Sequence, residues 1–429
     1  MSAFAATKGV FATQSDVALQ SINGFGFRPV AVIAWWSRQG SHGVEAGNRG
    51  GIGFWTRDAS AAVAWRSADG ARSSETGSLA DCAAILGVEG VDEAVSMRAD
   101  VASFDADGIT LRWRDRPSEP WLVHFLALGG ALVRARVGSV SSSPSNGSKD
   151  VEGAGTGVDL LLLMPAPAET GLRAEGLDIG IGAASGKRQA AAGYASPNDA
   201  LPGRVTGAQR SDCAAIVLNG PGNPPTIGAV RRHRGHDLAV EWSGSSRPTQ
   251  RLCYLALEGL RVKVGIDISP ATPGTRRTRL GFRPEALLLF SWGLAGSATP
   301  KQIGRLCVGG ATERESGCVS WDDRNIEAQE TMTHVASSIA HALEIADTQT
   351  GGVHAQAALD SVDERGFTLD WTESDGKLRQ FVYVAMSGGK SGSWLSNALG
   401  RKSRREPRRL TTRSRPALSR ISLWVRRPP

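Results

Sequence analysis

Only three tyrosines, five cysteines and seven histidines occur among 429 residues, and each shortage excludes a class of protein. The cysteines (Cys82, Cys213, Cys253, Cys307 and Cys318) are odd in number and include no CxxC pair. That excludes a disulfide framework and points to folding in a reducing cytoplasm. Cys82 and Cys213 sit inside apolar runs and read as small buried hydrophobes. The histidines are scattered. His233 and His236 are close together but stand among Arg231, Arg232 and Arg234, which repel a cation, so no zinc site is expected. The longest unbroken apolar run, near Leu160 to Met164, is far too short to cross a bilayer, and no membrane insertion is expected. Met1 to Lys8 shows no basic segment followed by an apolar one, so no signal peptide is expected.

Motifs that carry chemistry are also missing. There is no GxSxG elbow. The stretch Gly180-Ile-Gly182-Ala-Ala-Ser-Gly186 has one residue too many for a dinucleotide loop and reads as a turn or strand. Gly388-Gly-Lys-Ser391 lacks the first glycine of a P-loop, since Val384 occupies that place. Asp105, Asp107, Asp363 and Glu364 read as turn formers rather than paired catalytic carboxylates. No catalytic residue, cofactor or metal is assigned, and the chain is not read as an enzyme. An active site scattered across a fold leaves no motif, so an enzyme stays as the second alternative.

What is present is a repeat. Gly108-Ile-Thr-Leu-Arg-Trp113, Asp237-Leu-Ala-Val-Glu-Trp242 and Gly366-Phe-Thr-Leu-Asp-Trp371 place three tryptophans 129 residues apart. Leu128, Leu257 and Met386 each follow their tryptophan by 15 residues, at the end of an apolar segment. Upstream, Gly51 precedes Trp65, Gly180 precedes Tyr194 and Cys307 precedes Trp321, by 14 residues each time. Asp81-Cys-Ala-Ala-Ile85 and Asp212-Cys-Ala-Ala-Ile216 are identical words in copies 1 and 2, as Gly26-Phe-Arg-Pro29 and Gly281-Phe-Arg-Pro284 are in copies 1 and 3. One register satisfied at so many places makes this three tandem copies.

Each copy reads as strands. Pro29 to Trp36, Leu160 to Met164 and Ala286 to Phe290 are short apolar runs suited to buried sandwich strands. Ile109 to Trp113 and Phe367 to Trp371 alternate apolar and polar residues with the period of a half-buried strand. With 52 glycines and 20 prolines as punctuation, the fold class is all-β: three tandem, jelly-roll-like β-sandwiches of about eight strands each. Thr333 to Ile345 could form a helix; the matching runs in copies 1 and 2 are shorter, and the segment is read as a strand. Lys8-Gly-Val10, Arg136-Val-Gly138 and Lys263-Val-Gly265 match as entry strands, while Ser139 to Gly155 and Ser269 to Arg279 read as linkers. The boundaries follow as 8–138, 139–265 and 266–390, with a basic, disordered tail over 391–429. A compact pseudo-threefold cluster and a linear string both fit.

Twelve tryptophans are the most informative composition signal. Trp113, Trp242 and Trp371 recur, as do Trp65, Tyr194 and Trp321, and these six are assigned to the core. Trp36, Trp55 and Trp292 do not all recur and lie near loops. Together with His42, in the polar loop Ser37 to Arg49, they are the candidate contacts for a sugar or protein partner.

The formal charge of +7 is concentrated at the end: residues 401–429 carry eleven Lys and Arg against one Glu. This tail has three readings: a phosphate-binding segment for nucleic acid, the least favoured; a solvated appendage; or translation in a shifted frame of a GC-rich gene.

On Gly26-Phe-Arg-Pro29 before Trp35-Trp36, Gly51-Ile-Gly53, Ser103-Phe-Asp-Ala-Asp-Gly-Ile-Thr-Leu111 and His124-Phe-Leu-Ala-Leu-Gly-Gly130, the chain resembles a repeated β-domain family of bacteriophage and prophage virion proteins. The resemblance spans residues 8–390, although copy 2 lacks the Phe-Arg-Pro opening. It implies a structural or attachment role in a virion: a tail, spike or capsid-surface component that contacts other virion proteins or itself and offers loops to a cell-surface glycan. A stand-alone carbohydrate-binding sandwich is the alternative.

Overall fold

The fold is that of a computed structural model, which describes residues 3–389 other than 90–93, 143–145, 167–172, 199–204, 219–222, 233–237, 245–249, 294–299, 326–329 and 348–349. The tail assigned to 391–429, and His233 and His236, lie outside the described residues.

All elements among the described residues are strands. Copy 1 holds β1 (Ala5–Ala12), β2 (Leu19–Asn23), β3 (Pro29–Ser37), β4 (Gly43–Ala46), β5 (Asn48–Thr56), β6 (Ser60–Ser67), β7 (Thr76–Asp81), β8 (Ile85–Glu89), β9 (Ala94–Asp105), β10 (Gly108–Asp115) and β11 (Leu122–Gly129). Copy 2 holds β12 (Arg134–Ser141), β13 (Gly147–Asp150), β14 (Leu160–Ala166), β15 (Arg173–Glu175), β16 (Leu177–Ser185), β17 (Arg188–Ser196), β18 (Thr206–Arg210), β19 (Ala215–Val217), β20 (Thr226–Arg232), β21 (Leu238–Ser243) and β22 (Arg251–Glu258). Copy 3 holds β23 (Leu260–Ile268), β24 (Gly274–Arg279), β25 (Ala286–Ser291), β26 (Gly304–Ala311), β27 (Ser316–Asn325), β28 (Thr331–Ser338), β29 (Leu343–Asp347), β30 (Gly352–Asp363), β31 (Gly366–Ser374) and β32 (Gln380–Gly388).

Each copy is a sandwich of a six-stranded inner sheet and a four-stranded outer sheet. In copy 1 these are β1-β11-β3-β5-β6-β7 and β2-β10-β9-β8, and copies 2 and 3 repeat both orders. Among the described residues each sandwich therefore has ten strands in place of the eight or so expected, and copies 1 and 2 carry one more each, β4 and β15, in a neighbouring copy's sheet. The segment from Thr333 to Ile345 is no helix: β28 ends in one sheet and β29 starts in the other. The entry strand belongs to the copy it opens, since β12 pairs with β22 and β23 with β32. The boundaries at 139 and 266 thus move back to the turns before β12 and β23. The two supposed linkers contain the end of β12 and all of β13, and all of β24.

The copies close into a ring. The connection after the third strand of each copy reaches onto the last inner strand of the preceding copy: β15 pairs with β7, β4 with β28, and Lys301 bridges Gly207. The entry strands follow the same order, with β12 packing on β6, β23 on β17 and β1 on β27. The central inner strands β3, β14 and β25 and their neighbours β11, β22 and β32 are buried on both faces, which is why they read as continuous apolar runs, whereas the entry strands β1, β12 and β23 at the sheet edge are only half-buried. One face fills the copy's own sandwich. The other contributes to a core shared by all three copies, in which Ile33, Leu162 and Leu288 occupy one equivalent position and Trp35, Met164 and Phe290 another. Pulling the copies apart would expose these six side chains at a cost on the order of 10 kcal/mol, so the cluster, not the string, is the stable form.

Ladder register also corrects the repeat. Ala84, Ala214 and Ala342 are equivalent, for each donates its amide to the same outer-sheet position, Ala99, Gly228 or Ala357. The identical Asp-Cys-Ala-Ala-Ile words are therefore one residue out of step, and a one-residue slip turns every side chain to the other face. Ile85 points into its own sandwich and Ile216 into the shared core. Cys213 is buried, but Cys82 is exposed, against expectation. Burial pushes the Cys213 thiol up to about 12 and the Cys253 thiol up to about 11. Ellman's reagent is expected to titrate one thiol in the native protein and all five in denaturant, with mass spectrometry placing the fast adduct on Cys82.

Candidate functional site

The structure buries the three tryptophans expected as contact residues. Trp36 and Trp55 are fully buried in the copy 1 sandwich. Their indole N–H groups donate to the carbonyls of Leu86 and Ala84, at 2.8 and 2.6 Å. The corner between the two sheets thus supplies the acceptors that a buried indole needs. Trp292 is equally buried and plugs the joint between copies 3 and 2, where its ring occupies the space left open by Gly207. None of the three is an exposed contact residue. The loop from Ser37 to Arg49 contains β4, which pairs with β28 of copy 3, while Gly40 to Gly43, Glu45 and Ala46 stay exposed. Trp65, Trp113, Tyr194, Trp242, Trp321 and Trp371 are all buried. The equivalent trio Trp65, Tyr194 and Trp321 meets in the middle of the ring. Trp65 packs edge-on to Trp321 at 4.9 Å, and Asn48 accepts from Trp65 Nε1 and donates to Tyr194 Oη.

His42 remains, and it leads to the site. It is exposed, yet its Nδ1 lies 3.0 Å from Ser337 Oγ on β28. On the other side of that hydroxyl stands His124 Nε2, at 2.9 Å. The His124 ring is stacked on Trp35. Beside them lies Lys8 of β1, only 2 % exposed. It has no hydrogen-bond or ion-pair partner among the described residues. Its ammonium fits only because position 317 is glycine: a β-carbon there would overlap Lys8 Nζ and stand 2.8 Å from His124 Nδ1. Burial lowers the Lys8 amine to about 8, with Cys318 and Glu315 opposing the shift. Burial first, and then Lys8, holds His124 well below the usual histidine range, so its ring is neutral.

Ladder register shows how unusual this joint is. Lys8 corresponds to Val137 and Val264, His124 to Cys253 and Val382, Gly317 to Ala61 and Ala190, and Ser337 to Ala80 and Gln209. Two of the three equivalent joints are mainly apolar at these places. The third, between copies 1 and 3, carries lysine, histidine and serine, and it opens into a cleft of about 590 Å³ lined by Lys8, Ile22, Phe25, Phe125, Glu315 and Leu359.

The chain matches no protein-family model and no curated protein.

Ser337 and His124 are a hydroxyl–imidazole pair, the first element of nucleophilic catalysis. Ser337 is 2 % exposed, however, and lies between two imidazoles. A serine nucleophile has to face an open site with donors for the developing oxyanion; this one ties two copies together. No group of three or more His, Cys, Asp or Glu placed to hold a metal occurs among the described residues. Sequence reasoning missed Lys8, Gly317 and Ser337. The signal that finds them is divergence between copies at one structural position, which requires the correct register.

Proposed function

We propose that this protein is a structural and binding component of a phage-like particle, a single-chain trimer rather than an enzyme. The observation that supports this most is the ring, in which copies 1 and 2 each add a strand to the sheet of the copy before them, copy 3 bridges to copy 2 through Lys301 and Gly207, and all three share one core. Three copies on one chain make trimer assembly independent of concentration, unlike an obligate oligomer. They also let one joint diverge while the other two keep the body rigid, which a homotrimer cannot do. Such a body suits a threefold position on a tail, spike or shell. The alternative of a stand-alone sugar-binding module is weaker, because Trp36, Trp55 and Trp292 are buried and leave no aromatic platform among those residues.

Mass spectrometry of purified particles tests the reading. Peptides from all three copies, at many molecules per particle, are the expected result. Protein that is free in the medium and missing from intact particles would sink it and bring the stand-alone binding module forward.

A further inference from the structure

We propose that the joint between copies 2 and 3 binds a multiply charged phosphate-type oxyanion, held by Lys263 and Tyr383 on the face of β23 that looks into the copy 3 sandwich and by Arg188 across the edge of that strand. This goes beyond the particle reading and does not depend on it.

The first support is positive charge gathered at one of three equivalent joints. Between copies 2 and 3, the β16–β17 hairpin supplies Lys187 and Arg188, the entry strand Arg261 and Lys263, and the end of β24 Arg279. Ladder register puts Asp58, Ala59, Arg134, Arg136 and Glu152 at the same five places between copies 1 and 2, where the charges cancel. It puts Arg314, Glu315, Ala5, Thr7 and Asn23 there between copies 3 and 1, where they cancel again. The carboxylates near the basic set do not offset it, since Asp267 is held by Arg276 at 2.7 Å and Asp363 is held by Arg277. Like charges gathered without an anion repel one another, and an oxyanion among them removes that repulsion.

The second support is the geometry of Lys263 and Tyr383. Lys263 and Gly265 are two apart on β23 and so share a face. Tyr383 lies over Gly265 on that face, so closely that a β-carbon there would stand 2.3 Å from its Oη. The Lys263 ammonium donates to the carbonyls of Arg279 and Leu280, at 2.7 and 3.3 Å, and has a third N–H left over. The Tyr383 hydroxyl has no hydrogen-bond partner among the described residues. Copy 2 shows the satisfied form of the same place. There Arg136 is paired with Glu258 at 2.7 Å, and the Tyr254 hydroxyl donates to the Glu152 carbonyl at 2.6 Å. Copy 3 has Ser387 where Glu258 stands, and the carbonyl that matches Glu152, that of Arg279, is taken by Lys263. The acid is gone and the hydroxyl is left open.

The third support is that Arg188 reaches this pair. It is the first residue of β17, the strand of copy 2 that packs on β23, and its side chain is exposed. Burial first, and then Arg188, lowers the Lys263 ammonium below its ordinary value, and no acid among the described residues opposes them. Burial raises the Tyr383 phenol, with Arg188 opposing and Asp267 adding to the rise. One guanidinium therefore acts on both groups. A planar fork, an ammonium and a phenol that approach from different directions suit the several oxygens of a tetrahedral phosphate better than the two coplanar oxygens of a carboxylate.

Phenylglyoxal labelling of the full chain is the test, with pyrophosphate as the probe and succinate as its carboxylate counterpart. Mass spectrometry reads the label arginine by arginine, which separates the joint from the basic residues of 401–429. Pyrophosphate is expected to slow labelling of Arg188 roughly tenfold at about ten times its dissociation constant, a readout that needs no variant to fold. Arg112, exposed on the outer sheet of copy 1, should react at an unchanged rate, and succinate should protect Arg188 far less. Lys263→Thr, which installs the residue found in copy 1, should abolish the protection by pyrophosphate. Arg188 labelled equally fast with and without pyrophosphate, Arg112 protected as strongly as Arg188, succinate as effective as pyrophosphate, or protection that survives Lys263→Thr would each overturn the proposal.

Discussion

Alanine at Gly309 or at Gly182 is expected to cost the fold roughly 3 kcal/mol or more, the upper end of what overpacking does. The two positions are equivalent and lie on the second strand of the inner-sheet meander, β26 and β16. At each, an added β-carbon would overlap a backbone carbonyl, that of Ala342 or Ala214. Those carbonyls belong to the corner where the chain passes from inner to outer sheet. The corner cannot retreat easily, because the Ala342 and Ala214 amides are each bonded at 2.8 Å to the next outer strand. Relief therefore means breaking a ladder hydrogen bond or opening the sandwich. Gly53, the third member of the set, meets the Ala84 carbonyl at 2.7 Å and should suffer less from the same change. Gly40 has open space around its would-be side chain and no positive φ, so alanine there should stay within about 0.5 kcal/mol of the parent. Urea midpoints for the four variants are the measurement. If Gly309→Ala and Gly40→Ala unfold together, the corner does not lock the sandwich.

A second threefold set shows how glycine and aromatic residues were selected together. Gly9, Gly138 and Gly265 on the entry strands lie under Phe125, Tyr254 and Tyr383 on the last strands. Each ring covers the bare backbone of its partner, the cross-strand arrangement that offsets the weakness of glycine in a strand. This pairing fixes the register of the entry strand, and it was visible in the sequence. Matching Lys8 with Arg136 and Lys263 hid it. That alignment starts each three-residue word on a basic residue and is one position wrong. It makes Lys8 look like a repeated surface charge, whereas the glycines place it against Val137 and Val264.

The all-β class and the threefold repeat were legible because alternation, turn residues and a fixed period are local signals. The ring was not. A strand buried on both faces reads the same whether its second face meets a helix, another sheet or a neighbouring copy, so Leu160 to Met164 announces burial without naming the partner. The candidate contact residues failed for a related reason. Trp36 and Trp55 lie near loops in sequence, but what decides their exposure is whether the corner at Ala84 and Leu86 offers carbonyls to their indoles. No sequence pattern encodes that. The short β4 was missed because four residues, Gly43-Val-Glu-Ala46, flanked by Ser41, His42, Gly47 and Asn48 look like a loop. They complete a sheet edge in another copy, where hydrogen bonds come from backbone and the side chains need not be apolar.

Asparagine or serine in place of Asp323 is expected to stabilise the protein at pH 8 and to matter little near pH 4. Asp323 corresponds to Ser67 and Ser196, and all three are buried where the copies meet. Burial raises the carboxyl to about 7, an effect that nearby Ser67 and Ser196 temper and Asp322 reinforces. Neither carboxylate oxygen, and neither serine hydroxyl, makes a hydrogen bond of full geometry among the described residues. The neighbouring Arg305 offers no relief, since it is paired with Asp322 at 2.9 Å. With the folded value above the unfolded one, the folded state binds the proton more tightly. The contribution is therefore full below the unfolded value of 3.8, declines as pH rises, and is gone above about 7. A shift of this size corresponds to at most roughly 4 kcal/mol, at about 1.4 kcal/mol per pH unit. Asp323→Asn removes the charge while keeping the shape, and Asp323→Ser restores three identical side chains. Both should raise the urea midpoint at pH 8, and the gain should shrink steadily as the pH is lowered toward 4. A gain that is constant with pH would mean that packing, not charge, limits this centre, and a loss at pH 8 would mean that the carboxylate is paired after all.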